Sequence, residues 1–177
     1  MSELNRLLKE KEEMIRRGKE VEKVWGQELH LVNKDYCGKI LEINKFNHLS
    51  LHRHLKKAES FWVLEGPVCV TLVDESSGEH ELYLLETGDI LDIRREQLHS
   101  ILAISDDAKV VEFSTTDSSN DSLRAFSSGN LNEEECNKLL TFLLDNRTDN
   151  VYTWRGKCSK LFMPIQLSEE EMVYERD

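Results

Sequence analysis

The sequence predicts an all-β, single-domain fold, a double-stranded β-helix or jelly-roll barrel, with a helix before it and a helical extension after it. Three observations carry this expectation. Between Trp25 and Ser114 the apolar residues fall in short runs of strand length. Turn-forming residues such as Asn44-Lys45, Gly66-Pro67, Ser76-Ser77-Gly78 and Thr87-Gly88 separate those runs. The two segments with apolar residues at helical spacing lie outside this stretch, one at each end.

Taken in order, residues 1–20 read as a helix. Ser2 can cap it, Glu3 favours its start, Arg16-Arg17-Gly18 favours its end, and Leu4, Leu7, Leu8, Met14 and Ile15 share one face. That face packs on the barrel or on a second subunit. Residues 21–128 form the barrel, with strand-like runs at 29–31, 40–43, 49–51, 61–64, 68–73, 81–85, 90–93, 98–101 and 110–113. Ser76-Ser77-Gly78 marks a hairpin tip whose arms are Val68–Asp74 and Glu79–Leu85, and His80 beside it reads as a surface residue. Residues 114–130, rich in Ser, Thr, Asn and Asp, form a loop. In the extension, residues 129–177, Asn132 and Glu135 make a capping pair, and Cys136, Leu139, Leu140, Leu143 and Leu144 form a core-facing stripe. The final segment, with Val151, Tyr152, Trp154, Leu161, Phe162 and Ile165, covers a barrel end or swaps onto a partner, and the acidic tail after Ser168 is solvated.

Composition narrows the function classes. At 177 residues the chain suits one domain that buries about 70% of its unfolded surface. A formal charge of −11, from 34 acids against 23 bases, opposes nonspecific attraction to nucleic acid or to an anionic membrane. No apolar run approaches the roughly 20 residues of a transmembrane helix, and the polar start is unlike a signal peptide, so a cytoplasmic protein is expected. Cys37, Cys69, Cys136 and Cys158 are scattered without a Cys-x-x-Cys pair and read as free thiols.

The chemistry gathers around three histidines and an acid. In an extended strand His52 and His54 point to one face while Leu51, Arg53 and Leu55 point to the other, so Arg53 lies away from any site the histidines build. Glu59 follows them, and His99 stands beyond Gly88-Asp89. Imidazole nitrogen and carboxylate oxygen together suit one divalent ion, Mn, Zn, Fe, Ni or Co, and the donors need not be near in sequence if a sheet folds back on itself.

The pattern His52-x-His54-x4-Glu59-x6-Gly66, followed by Gly88-x10-His99, resembles the two motifs of the cupin superfamily over roughly residues 46–103. Phe46 stands where that family usually has glycine, with Asn47 beside it able to take the same left-handed turn. Arg94, Glu96 and Ala103 replace the usual proline, glycine and asparagine around His99. Within the cupins the chain resembles the mannose-6-phosphate isomerase type. Trp25-Gly26 with Glu28, Lys39, Ser50-Leu51, Lys57-Ala58-Glu59, Glu112-Phe113-Ser114 and Asp121-Ser122-Leu123-Arg124 carry that likeness over about 100 residues.

The resemblance implies a metal held by His52, His54, Glu59 and His99, and a homodimer. It also implies an aldose–ketose isomerase of a sugar or sugar phosphate, working through an enediol intermediate. Glu112, Lys39 or Lys57 would then move the proton, and Lys39 and Arg124 would bind substrate. Arg94 and Arg95 would stand at the barrel mouth. The same ligand set also serves metal-dependent dioxygenases and non-catalytic cupins that bind a sugar or metabolite, and fold alone does not choose.

Overall fold

The computed structural model describes residues 3–4, 16–118, 120–146 and 152–156. Fourteen strands occupy most of them: β1 (Lys19–Lys23), β2 (Gly26–Asn33), β3 (Tyr36–Ile43), β4 (Asn47–His48), β5 (Leu51–His54), β6 (Glu59–Glu65), β7 (Val68–Asp74), β8 (Glu79–Leu85), β9 (Ile90–Ile93), β10 (Leu98–Ala103), β11 (Ala108–Thr115), β12 (Ser122–Phe126), β13 (Gly129–Asn130) and β14 (Tyr152–Gly156). The helix α1 spans Glu133–Asp145. The strands form two antiparallel sheets, one ordered β1-β2-β3-β11-β6-β9 and the other β12-β5-β10-β7-β8-β14, with β4 and β13 added beside β10.

Strand alternation builds the core between the sheets. Leu41, Ile43, Phe61, Val63, Val68, Val70, Ile93, Ile101 and Val110 are buried there in one cluster, and their sequence neighbours point outward. β10 is buried along its whole length because it is covered on both faces. Its outer face, with Cys69, Leu82, Leu84 and Ile104, receives Leu139 and Leu143 of α1. Burying two such leucines contributes about 1.5–3 kcal/mol each. The expected capping box starts that helix, with Asn132 Oδ1 accepting from Glu135 N at 2.9 Å and Glu135 Oε2 accepting from Asn132 N at 3.1 Å. Cys136 joins the buried side, but Leu144, expected on the stripe, is exposed.

The expected hairpin is present: β7 and β8 pair from Val68↔Leu85 to Asp74↔Glu79 around a tip in which Gly78 has φ 69°. His80, expected at the surface, is instead buried at 3% exposure, because β14 pairs along β8 and closes over its end. The extension expected to be helical carries a strand besides its helix. α1 is followed by β14, which the edge of β8 orders as a sixth strand. At the other end the sheet starts at Lys19, inside the range expected to be helix, and the rest of the expected helical face, from Leu7 to Ile15, lies outside the described residues. Cys37 and Cys136 are buried free thiols and Cys69 is buried; Cys158 and the acidic tail lie outside the described residues.

The two motif positions that lost glycine keep the backbone a glycine would supply. Phe46 has φ 64° and Glu96 has φ 63°. The left-handed residue is thus Phe46 itself, and Asn47 beside it belongs to β4. Phe46 is pinned by N–H donation to Ala103 O at 2.8 Å, and Glu96 by donation to His54 O at 2.8 Å. Those bonds offset the cost of about 1–2 kcal/mol that a side chain incurs in this region.

Candidate metal centre

Register brings the histidines together. His52 on β5 stands opposite His99 on β10, and His54 lies two residues along β5 on the same face. One cross-strand row runs Arg124, His52, His99, Leu72, Glu81, Arg155 across the second sheet. The His52 and His99 ring centroids are 4.6 Å apart, His52 and His54 5.0 Å, and His54 and His99 6.0 Å. A ligand atom from each of the three lies within 4.8 Å of the others, so this group can hold a metal ion.

Two of the rings are oriented for that task. His52 Nδ1 is 2.8 Å from Ser50 O, and His99 Nδ1 is 2.8 Å from Gln97 O. Donation to these carbonyls leaves both Nε2 atoms as free lone pairs, the arrangement that fixes a metal-binding tautomer. Burial, reinforced by the neighbouring imidazoles, holds His52 well below the usual imidazole range. Burial likewise lowers His54 to about 4, against opposition from Glu59. Both rings are therefore neutral near pH 7, as a ligand must be.

Glu59, the acid expected to complete the set, places Oε2 3.2 Å from His99 Nε2 and Oε1 3.6 Å from His54 Nε2. Both His99 Nε2 and Glu59 Oε2 are buried and lack a hydrogen-bond partner. Two unsatisfied donor atoms facing one point fit a cation between them, because each alone would carry a desolvation cost of about 1–3 kcal/mol. The residues present therefore suit a divalent metal.

Behind the metal group lies a buried ion network. Lys57 Nζ sits 2.7 Å from Glu59 Oε1, 3.0 Å from Glu112 Oε1 and 3.6 Å from Asp117 Oδ1. Lys39 Nζ is 2.7 Å from Asp117 Oδ2 and 3.9 Å from Glu28 Oε2. Burial alone would lower both lysines, but Glu112 and Glu59 outweigh it at Lys57, and Glu112 and Asp117 outweigh it at Lys39, so both are raised. Burial alone would raise Glu59, but the Lys57 ammonium 2.7 Å away outweighs it and holds the carboxyl low. Ser114 Oγ donates to Glu112 Oε1 at 3.1 Å.

Glu112, Lys39 and Lys57 thus gather at the centre, whereas Arg124 lies at its rim, exposed on β12 opposite His52. Arg53 points away and pairs with Glu75. Arg94 and Arg95, with Leu72, Tyr83, Leu91 and Arg155, line a cleft of about 710 Å³. Its wall residue Leu72 is the strand neighbour of His99.

Two participants escaped the sequence reading. Asp117 lies in a Ser/Thr/Asp stretch that reads only as a loop, and the fold lays it beside both lysines. Asp121 is buried, accepts the backbone N–H groups of Lys56 and Lys57 at 2.9 Å each, and lies 3.9 Å from His54 Nδ1. Its place in Asp-Ser-Leu-Arg was the available signal.

The fold is that of the cupins. Among similar solved structures is the capsular polysaccharide assembling protein CapF from Staphylococcus aureus, with TM-score 0.56 and 15% identity over 61% of this chain and 34% of that one. Another is a single-residue variant of oxalate decarboxylase from Bacillus subtilis, with TM-score 0.53 and 20% identity over 59% of this chain and 29% of that one. The alignments span about a third of the length of those proteins. No family model and no curated protein matches the sequence. Among the described residues, no helix is long and apolar enough to cross a membrane.

Proposed function

We propose that the protein is a metal-dependent cupin that interconverts an aldose and a ketose, as free sugars or sugar phosphates, through an enediol. One observation carries this reading: a buried acid–base group, Lys57 bridging Glu59 and Glu112, lies directly against the three imidazoles. Isomerisation needs a base beside a carbonyl-polarising centre, and this juxtaposition provides both. A metal on His52, His54, Glu59 and His99 would supply charge stabilisation for the developing oxyanion.

The chain's own residues divide the proton chemistry. Lys57 and Lys39 are held protonated, which leaves Glu112 as the base. Glu112 removes the proton from the carbon bearing the hydroxyl, and the electron pair forms the enediol double bond while the carbonyl oxygen takes a proton from Lys57. Glu112 then returns its proton to the neighbouring carbon, and the other oxygen gives its proton to Lys57 and becomes the new carbonyl. Lys39, and Arg124 at the rim, bind substrate oxygens. CapF, named for capsular polysaccharide assembly, shares the fold and is consistent with a saccharide ligand.

The test is an anaerobic assay of untagged, metal-loaded protein with a panel of aldoses and their phosphates in heavy water. Exchange of the proton on the hydroxyl-bearing carbon, with ketose formed in the absence of dioxygen, is the expected result. Turnover that strictly consumes dioxygen would contradict it, as would saturable sugar binding with no exchange at any substrate.

A further inference from the structure

On the inner face of the first sheet stands a carboxylate–imidazole pair that the proposed proton path leaves unused. Glu28 Oε2 lies 2.6 Å from His30 Nε2, both on β2, with side chains 14% and 31% exposed. Register aims the pair at the site. Lys19, His30, Lys39, Glu112 and Phe61 stand opposite one another across β1, β2, β3, β11 and β6, and directly opposite residues on antiparallel strands project to one side. Lys39 and Glu112 are buried on that side, and the Phe61 ring centroid is 5.8 Å from that of His99. Gly26 permits this register: it has φ 144°, and a Cβ there would collide with Glu42 O on the neighbouring strand.

The pair has the form of an acid–base group. Donation from Nε2 to Glu28 fixes the ring's orientation and leaves Nδ1 to take or give a proton. Burial alone would raise the Glu28 carboxyl, but the His30 hydrogen bond and the Lys39 and Lys23 ammonium groups outweigh it and hold it low, so the acceptor is a carboxylate. Lys23 Nζ is 3.2 Å from Glu28 Oε1. Two interstrand spacings, about 10 Å, separate His30 from Glu112, which leaves room for one sugar ring between them.

We propose that His30 opens the pyranose ring of an aldose bound between it and Glu112, with Glu28 as its positioning residue. Aldoses exist mostly as cyclic hemiacetals, whereas an enediol forms only from the open chain with its free carbonyl. His30 Nδ1 takes the proton of the anomeric hydroxyl, and the electron pair left on that oxygen forms the carbonyl. The bond from the anomeric carbon to the ring oxygen breaks, and the ring oxygen takes a proton from Lys39, the strand partner of His30. Closure returns both protons, and closure on the opposite face of the carbonyl gives the other anomer. Ring opening therefore has an activity of its own, the exchange of anomers, which needs neither Glu112 nor the enediol. For its substrate the step depends on the reading of the site as an aldose isomerase.

The test is polarimetry of freshly dissolved α-D-glucose with untagged, metal-loaded, full-length protein, as wild type and in the Glu112→Gln background, where isomerisation is slowed and rotation reports anomer exchange. His30→Gln keeps a nitrogen donor for Glu28 but cannot take a proton, and it is expected to slow the catalysed exchange by about 100-fold. His30→Asn, a second variant, guards against a folding defect in the first. Glu28→Gln is expected to lower the maximal rate while leaving the half-saturating glucose concentration unchanged. No acceleration of anomer exchange by wild type, or equal acceleration by the His30 variants, would overturn the assignment. Isomerisation by wild type alongside exchange that does not depend on His30 would overturn it while sparing the isomerase reading. Exchange that depends on His30 without any isomerisation would sustain it and remove that reading.

Discussion

His52 and His99 face each other across adjacent antiparallel strands with ring centroids 4.6 Å apart, and each has its Nδ1 2.8 Å from the carbonyl oxygen two residues before it. The strand pairing sets the distance between the rings and the backbone sets their tautomer. Neither needs an ion in place, so the group is preorganised to hold one.

The Lys57 ammonium is the hinge of the network behind that centre. Replacing it by methionine leaves Glu59 and Glu112 buried without their shared cation, and the metal-free protein is expected to lose about 3–5 kcal/mol of stability. Urea unfolding of stripped Lys57→Met measures this. An unchanged midpoint would show that the carboxylates are not held as charged groups.

Acidification reads the imidazoles. His54 is lowered to about 4 from an ordinary value of 6.5, chiefly by burial. Between those values the unfolded chain binds a proton that the folded site refuses. Stability attributable to this group is therefore fully present above pH 6.5 and lost as pH falls towards about 4, with a slope of up to about 1.4 kcal/mol per pH unit. Unfolding of stripped wild type and His54→Asn between pH 7 and 4 isolates the contribution. The variant is expected to show the shallower decline, and a steeper one would contradict the assignment.

The proposed proton path separates Glu112 from the lysines. Glu112→Gln keeps the shape and the hydrogen bond from Ser114 but cannot take a proton. It is expected to lower turnover by about 100- to 10,000-fold at unchanged metal content. Initial rates with the substrate found in the aldose panel provide the measurement, and near-normal turnover would remove Glu112 from the proton path.

Backbone strain offers a test outside the site. Glu96 is exposed at φ 63°, where glycine carries no steric penalty. Glu96→Gly is expected to raise stability by about 1 kcal/mol, the low end of the cost of such a conformation. A fall in the denaturation midpoint would mean that the Glu96 side chain has a stabilising role.

Much of this was legible in the residues. Strand periodicity gave the hairpin arms to the residue, and a period of two placed His52 and His54 on one face with Arg53 behind it. Asn132 and Glu135 announced the cap of α1. What escaped was set by contacts distant in sequence. His80 looked exposed because its cover, β14, arrives from more than seventy residues away. Asp117 looked like loop because only the docking of that loop against β2 and β3, through Asn33 and Lys39, turns it into an ion-pair partner. Phe46 and Glu96 defeated the residue preferences for left-handed turns, since flanking hydrogen bonds fix the backbone there whatever the side chain.

The central claim is that His52, His54, Glu59 and His99 share one divalent ion. Elemental analysis of protein purified without an affinity tag, alongside His99→Ala, tests it most directly. Wild type is expected to hold close to one equivalent of a transition metal per chain, and the variant to lose most of it. Equal metal in both proteins, or none in wild type after incubation with manganese, zinc, iron, nickel or cobalt, would contradict it.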